Sequence, residues 1–95
     1  MKLKIDKENC TKSGLKIPKG YRLIEDYECL KELRANKELN NLLIKEYVWV
    51  NTIKGTRAAC FDCDGGVFHV GGGNDLYYDG RSRGVFVKIG GEQDD

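Results

Sequence analysis

The sequence predicts an α+β domain in which two N-terminal helices pack on a small, mainly antiparallel sheet. Apolar residues recur at helical spacing between residues 23 and 43, and they alternate with a period of two from residue 46 onward. Ten of the twelve glycines lie at Gly55 or later. Helices grouped before a run of strands indicate an α+β arrangement. A chain of 95 residues provides for one domain, predicted to span residues 1–95.

The first half of the chain predicts one strand and the two helices. Leu3 and Ile5 alternate with charged residues, which predicts a short strand at the edge of the sheet. A first helix is predicted over residues 25–35, and a second, shorter helix follows Asn36. The apolar face of the first helix is predicted to comprise Leu23, Tyr27 and Leu30, widened by Ile24 and Leu33, and that of the second to comprise Leu39, Leu42 and Leu43.

The second half predicts antiparallel strands. Residues 47–53 carry apolar side chains on both faces, which is typical of a central strand. Residues 57–63 and 66–70 form a predicted hairpin across Asp64-Gly65, a dipeptide that favours a type I′ turn. This register predicts the cross-strand pairs Ala59–Val70, Cys60–His69 and Phe61–Phe68. The last strand is predicted over residues 85–89.

Composition narrows the class of protein. There is no run of about 18 apolar residues and no export signal at the N-terminus, so we expect neither a membrane span nor secretion. The predicted location is the cytoplasm or a virion. The high Lys and Glu content, with Gln93 as the single glutamine, favours a thermophilic source. The formal net charge of +1 excludes a grossly cationic nucleic-acid-binding protein.

The charges are unevenly distributed along the chain. Residues 1–57 hold 13 Lys/Arg and 8 Asp/Glu, whereas residues 58–95 hold 3 and 7. The basic N-terminal strand and loop, residues 1–19, can contact phosphates through Lys2, Lys4 and Lys7. Alternating lysines on an edge strand also prevent edge-to-edge aggregation, and we favour that interpretation.

Cysteines and the single histidine are the first candidates for chemistry. Cys60 and Cys63 form a CxxC pair, and His69 is predicted opposite Cys60. Residues three apart on a strand face opposite sides of the sheet, so the pair is not placed to share a metal. Structural thiols are therefore the favoured interpretation. A zinc site, which Cys10 or Cys29 would complete, and a thiol-dependent activity remain alternatives. No cofactor is expected.

The segment from Gly71 to Gly84 is the strongest candidate for a binding surface. It combines tyrosines, small polar residues and arginines, the residue types that dominate protein-binding surfaces. The alternative is that Leu76 and one tyrosine pack on the core while the rest is solvated. The predicted binding residues, which include Trp49 near the sheet, are Trp49, Asn74, Asp75, Tyr77, Tyr78, Asp79, Arg81 and Arg83.

Four segments resemble small C-type-lectin-like domains of bacterial adhesins and phage receptor-binding proteins, which are related to the formylglycine-generating-enzyme fold. Residues 20–30 (GYRLIEDYECL) resemble the G-W-R-L-P-T-x-x-E-L entry to the first helix, and residues 47–52 (YVWVNT) resemble the Y-W-T-S-T strand. Residues 57–67 resemble the family's hairpin, and residues 83–87 resemble its closing strand. The resemblance covers residues 20–89 and leaves an acidic tail at 90–95.

The resemblance implies a binding scaffold that displays a variable loop surface before the last strand. Ile24 and Glu25 replace the family's Pro and Thr, and the last strand lacks the cysteine that C-type lectins tie to their first helix. The calcium-site tripeptide of sugar-binding lectins is also missing, so sugar binding is not implied.

We therefore expect a non-enzymatic binding module with a protein partner or a second copy of the chain. We expect neither membrane binding nor strong nucleic-acid binding at physiological salt. Two alternatives remain: a nucleic-acid-binding protein that uses the basic N-terminal half, and a zinc- or thiol-dependent protein that uses Cys60, Cys63 and His69.

Overall fold

The computed structural model describes residues 1–33, 35–61, 68–70 and 82–90, and at residues 61, 68 and 69 the description is of the backbone. One 3₁₀ turn, Lys12–Gly14, follows the first strand. The two helices are α1 (Asp26–Glu32) and α2 (Lys37–Lys45). The strands are β1 (Leu3–Cys10), β2 (Tyr21–Leu23), β3 (Val48–Thr52), β4 (Gly55–Phe61), β5 (Phe68–Val70) and β6 (Ser82–Lys88).

All six strands belong to one mixed sheet with the order β1-β6-β3-β4-β5, and β2 also pairs with β6. The pairing of β3 with β6 is parallel, and the other pairings are antiparallel. The last strand in the sequence therefore lies inside the sheet, next to the first strand.

The predicted fold class is wrong in its layout. Among the described residues, more lie in strands than in helices, so the sheet is the main element. Two strands, β1 and β2, precede the helices, which are therefore not N-terminal. The sheet is also mixed, because β3 runs parallel to β6. The prediction failed because three-residue β2 has no periodicity of its own, and Leu23 happens to match the helical spacing that follows it.

One edge of β6 is shared by β2 and β3. Near its start, β6 pairs with β3 through Val48–Arg83 and Trp49–Gly84, and near its end it pairs with β2. Ile24 fills the position between them. Its N–H donates to the Val85 carbonyl at 3.0 Å, and its carbonyl accepts the Asn51 N–H at 2.8 Å. The chain can therefore leave the sheet for α1 without leaving these backbone groups unpaired.

Helix α1 buries a different face from the predicted one. Tyr27 and Leu30 are exposed, whereas Glu28 and Cys29 are buried. Glu28 is held by Arg22 of β2, whose two terminal nitrogens donate to the two carboxylate oxygens at 2.7 Å each. Glu28 also accepts the Glu25 N–H at 2.9 Å. A buried carboxylate with this many donors is stabilised in its charged form, and the pKa of Glu28 is lowered mainly by its hydrogen bonds to Arg22.

Helix α2 begins after Asn36 as predicted, but it is longer than α1 and not shorter, with nine residues against seven. The Asn36 side chain accepts the Leu39 N–H at 2.9 Å, which caps the start of the helix. Leu39, Leu42 and Leu43 are all buried. They pack in a cluster on the helix side of the sheet.

The sheet is buried on both faces. On the helix side, Val48, Val50, Ala59, Val85 and Val87 pack with residues of α1 and α2. A second cluster on the other side contains Leu23, Trp49, Ala58 and Phe86, with Leu15 and Tyr21 packed against it. The prediction that residues 47–53 form a central strand is confirmed, because β3 has neighbours on both edges and buries residues of both faces.

The predicted hairpin register is confirmed where the structure describes it. Strands β4 and β5 pair antiparallel through Ala59–Val70, Cys60–His69 and Phe61–Phe68. The Asp64-Gly65 turn lies outside the described residues.

Strand β1 is the predicted edge strand, but it is longer than predicted because it continues beyond a bulge. The register runs regularly from Leu3–Val87 to Ile5–Val85 and resumes at Asn9–Arg83, so extra β1 residues face Gly84. At Gly84 a β-carbon would lie 2.6 Å from Asp6 Oδ2 and 2.7 Å from Phe86 Cζ. Glycine is therefore required for the close approach of the bulge to β6.

We expect Gly84→Ala to destabilise the fold by about 1–3 kcal/mol, because the new methyl group overlaps the Phe86 ring and the Asp6 carboxylate. Urea denaturation measures this. Gly14→Ala is the matched control, since its β-carbon would meet only the flexible Thr11 hydroxyl at 3.2 Å and the Cys10 side chain at 3.9 Å. Equal stabilities of the two variants would contradict the close approach.

We expect Arg22→Met to cost about 1–3 kcal/mol at pH 7, since it leaves the Glu28 carboxylate buried and unpaired. Partial exposure of Arg22 moderates the effect. Because the pKa of folded Glu28 is lowered, the contribution of the ion pair is present above pH 4.5, the ordinary value for this group. It is lost as the pH falls through the folded pKa.

The stability difference between wild type and Arg22→Met, measured by urea denaturation at pH 7 and again at pH 3, is therefore expected to shrink on acidification. Lys37→Met, an exposed change on α2, is the control. A difference that stays constant with pH would contradict the role of the Arg22–Glu28 pair.

Candidate functional site

Most of the predicted binding residues lie in the part of the chain outside the described ranges. This applies to Asn74, Asp75, Tyr77, Tyr78, Asp79 and Arg81. The structure describes the other two predicted residues, Trp49 and Arg83, and the strands at both ends of the segment 71–81.

Trp49 is a core residue and does not lie on a binding face. Its side chain is fully buried beside Phe86 and Ala58. Its indole Nε1–H donates to the Cys10 carbonyl at 2.9 Å. The prediction was wrong because it placed Trp49 on the surface, although apolar residues on both faces of residues 47–53 already indicate that both faces are covered.

Arg83 connects three parts of the fold. Its Nε donates to Asn9 Oδ1 at 2.8 Å, its Nη1 to the Asp6 carbonyl at 3.2 Å and its Nη2 to Glu46 Oε2 at 3.0 Å. These bonds join the β1 bulge to the residues between α2 and β3. Arg83 therefore fixes the point at which the segment 71–81 enters β6, and three of its five N–H donors are used inside the protein.

The Asp6 carboxylate lies in the β1 bulge, and its pKa is affected by burial and by the charges near it. Partial burial raises the pKa of Asp6, while the nearby positive charges of Lys4 and Arg83 act in the opposite direction. The Asp6 carboxylate is thus close enough to Lys4 and Arg83 to interact with both charges.

The segment 71–81 joins two parallel strands. Strand β5 is antiparallel to β4, β4 is antiparallel to β3, and β3 is parallel to β6. Val70, Ala59, Val48 and Arg83 occupy one row across these four strands. The segment therefore has to pass β4 and β3, and a connection between parallel strands commonly takes a dozen or more residues. Its length is thus required by the sheet order and is not by itself a sign of function.

The described cysteines are distributed over both sides of the sheet. Cys29 packs in the helix-side cluster, and burial raises the pKa of its thiol to about 12, so it is not a reactive thiolate. Cys10 packs against the cluster on the other side. Cys60 lies opposite His69 in the ladder, as predicted, and Cys63 lies outside the described residues.

This distribution separates the residues proposed for a zinc site. Cys29 is across the sheet from Cys10, so the two cannot complete one set with His69. Within the described ranges no group of three or more His, Cys, Asp or Glu side chains is placed to hold a metal ion. Cys10, Cys29 and Cys60 form no disulfide with one another.

A cluster of lysines around a tyrosine lies on the outer side of the sheet, opposite the helices. In the ladder Lys4 lies opposite Phe86, and Tyr21 lies opposite Lys88. Directly opposite residues share a face, so Lys4, Tyr21 and Lys88 are on the side of Phe86. We call Lys4, Tyr21 and Lys88 the basic face.

The basic face extends to the first residues of the chain. The Lys88 N–H donates to the Lys2 carbonyl at 3.0 Å, which places Lys2 beside Lys88 on β1. Sequence analysis considered Lys2 and Lys4 but missed Tyr21 and Lys88. Only the pairing of β6 with both β1 and β2 brings Lys88 next to them, and no local pattern encodes that pairing.

No helix in the described part of the chain is long and apolar enough to cross a membrane. Comparison of the sequence with family models and with curated proteins, and of the fold with solved structures, finds no match. The resemblance to C-type-lectin-like domains therefore stays a prediction, and function has to be argued from the chain itself.

We expect Trp49→Phe to destabilise the protein by about 2 kcal/mol or more, because it loses the bond to the Cys10 carbonyl and leaves a gap in the core. Urea denaturation measures this. Tyr27→Phe, at an exposed position on α1, is expected to leave stability within about 0.5 kcal/mol of wild type. A stable Trp49→Phe variant would be evidence against a core role.

Proposed function

We propose that the chain is a non-enzymatic binding module that uses the segment 71–81 to contact a protein partner or a second copy of the chain. The observation that carries this proposal is the rigidity of the two points from which the segment extends. Binding residues are commonly displayed on connections that a rigid scaffold positions.

Both ends of the segment are fixed to strands of the sheet. Val70, at one end, is paired with Ala59, which is fully buried. Ser82, at the other end, is fully buried too, and Arg83 beside it is held by its three hydrogen bonds. Three strand spacings separate the ends, about 14 Å.

Residue types in the segment support the proposal further. The sheet order explains why the connection is long, but it does not explain the side chains. A connection that only spans the strands has no need of two adjacent tyrosines together with an arginine. Tyrosine and arginine are the residues that contribute most to protein interfaces, and they are flanked here by small polar residues that hydrogen-bond adaptably.

The test is the double variant Tyr78→Ala/Arg81→Ala. We expect it to weaken binding by about 2 kcal/mol or more, roughly 30-fold in Kd, with a melting temperature close to that of wild type. Sedimentation velocity over a concentration series measures self-association. For a heterologous partner, the protein recovered by affinity capture from source cells is titrated by calorimetry.

The matched control is Tyr27→Ala/Lys31→Ala, which removes one exposed tyrosine and one exposed cation from α1. It is expected to bind like wild type. If Tyr78→Ala/Arg81→Ala instead unfolds the protein, the segment packs on the core and the proposal is wrong. Equal binding of both double variants would also contradict it.

A further inference from the structure

We propose that the basic face binds the phosphate backbone of a single-stranded nucleic acid. This surface is separate from the segment 71–81 and involves a different partner, so the inference does not depend on the proposed function. It rests on the register of three strands, on the contact between a lysine and an aromatic ring, and on the charge of the surface.

The ladder brings the positive charges together. Lys4 on β1 and Lys88 on β6 project from the same face, two residues apart in register, because Lys4 lies opposite Phe86. Lys2 precedes them on β1 and its backbone bonds to Lys88. Like charges on neighbouring strands destabilise a sheet, and the Asp6 carboxylate offsets part of the charge of Lys4. Phosphate groups would supply further negative charge beside Lys4 and Lys88.

Tyr21 provides an aromatic surface among the lysines. Its ring is half-buried and packs against the cluster of Phe86 and Trp49, which fixes its position. Lys4 Nζ lies 5.7 Å from the ring centroid, within the range of a cation–π contact. A partly exposed aromatic ring beside cations is the arrangement on which single-stranded nucleic acids stack their bases.

The aromatic ring favours a nucleic acid over a lipid surface. Binding to a bilayer depends on apolar side chains that insert among the lipids. Tyr21 cannot insert, since it lies against the sheet. Ile17 and Ile89 are exposed and near Tyr21 in the sequence or the ladder, so lipid binding is tested directly below.

The expected affinity is modest. The formal net charge of the chain is only +1, so long-range attraction is weak. We expect a Kd in the micromolar range at about 50 mM salt, weakening steeply as salt increases. Each lysine–phosphate contact contributes about 0.7 to the slope of log K against log salt for a single strand. Binding that is lost near physiological salt agrees with the low net charge.

The experiment measures fluorescence anisotropy of a labelled 12-nucleotide oligo(dT) titrated with the full chain between 20 and 200 mM NaCl. Lys4→Gln/Lys88→Gln is expected to weaken binding at least tenfold at the lowest salt and to reduce the slope by about 1.4. The control Lys31→Gln/Lys37→Gln changes the net charge equally on the exposed side of α1 and α2 and is expected to lose less than threefold.

Two further variants separate charge from folding and from stacking. Lys4→Arg/Lys88→Arg keeps the charge and is expected to bind like wild type, so a loss through misfolding of the glutamine variant is recognised. Tyr21→Leu keeps an apolar side chain on the core but removes the ring, and is expected to weaken binding about tenfold with an unchanged salt slope.

Three results would overturn the proposal. Equal losses in the two lysine-to-glutamine variants would mean that only net charge matters. If the wild-type protein does not bind the oligonucleotide at 20 mM NaCl, the basic face is not a nucleic-acid-binding site. Binding to vesicles of one-third phosphatidylserine, measured by co-sedimentation, without binding to the oligonucleotide would assign the surface to lipid.

Discussion

The structure depends on the occupation of both edges of β6. Three strands pair with it: β1 along one edge, and β3 and β2 in sequence along the other. Because β6 is the last strand of the chain, the sheet is incomplete until the C-terminal segment is in place. More than half of the contacts between residues of the protein join positions far apart in the sequence. Folds with such contacts form more slowly than helical ones.

The two edges of β6 also explain two details that local patterns did not predict. Ile24 donates to one strand and accepts from another, so it has to be buried and extended just before α1 begins. Gly84 sits where the β1 bulge meets β6, and Arg83 beside it secures that bulge through Asp6 and Asn9. Ile24 bonds to β6, and Gly84 and Arg83 belong to it. The contacts of β6 therefore restrict which residue type can occupy each of these positions.

The two faces of the sheet are covered by different elements. The helices cover one face, and its central strands therefore carry branched apolar residues. On the outer face, the cluster around Trp49 and Phe86 is small, and the strands beyond it carry Lys4, Tyr21 and Lys88. The segment 71–81 leaves from the opposite edge of the sheet, at β5, and returns at β6. Binding by one surface does not require the other.

The sequence by itself determined α2, the burial of β3 and the register of β4 with β5. These depend on local rules: an Asn cap followed by leucines at helical spacing, apolar residues on both faces, and a turn dipeptide that sets the pairing. The layout of the sheet and the basic face were decided only by the tertiary structure. Each depends on which distant strand lies beside β6. Any residue type can form the backbone hydrogen bonds between strands, so the sequence does not indicate which strand will be the partner. A residue such as Lys88 therefore acquires its neighbours, and with them any role in binding, only when the whole sheet is assembled.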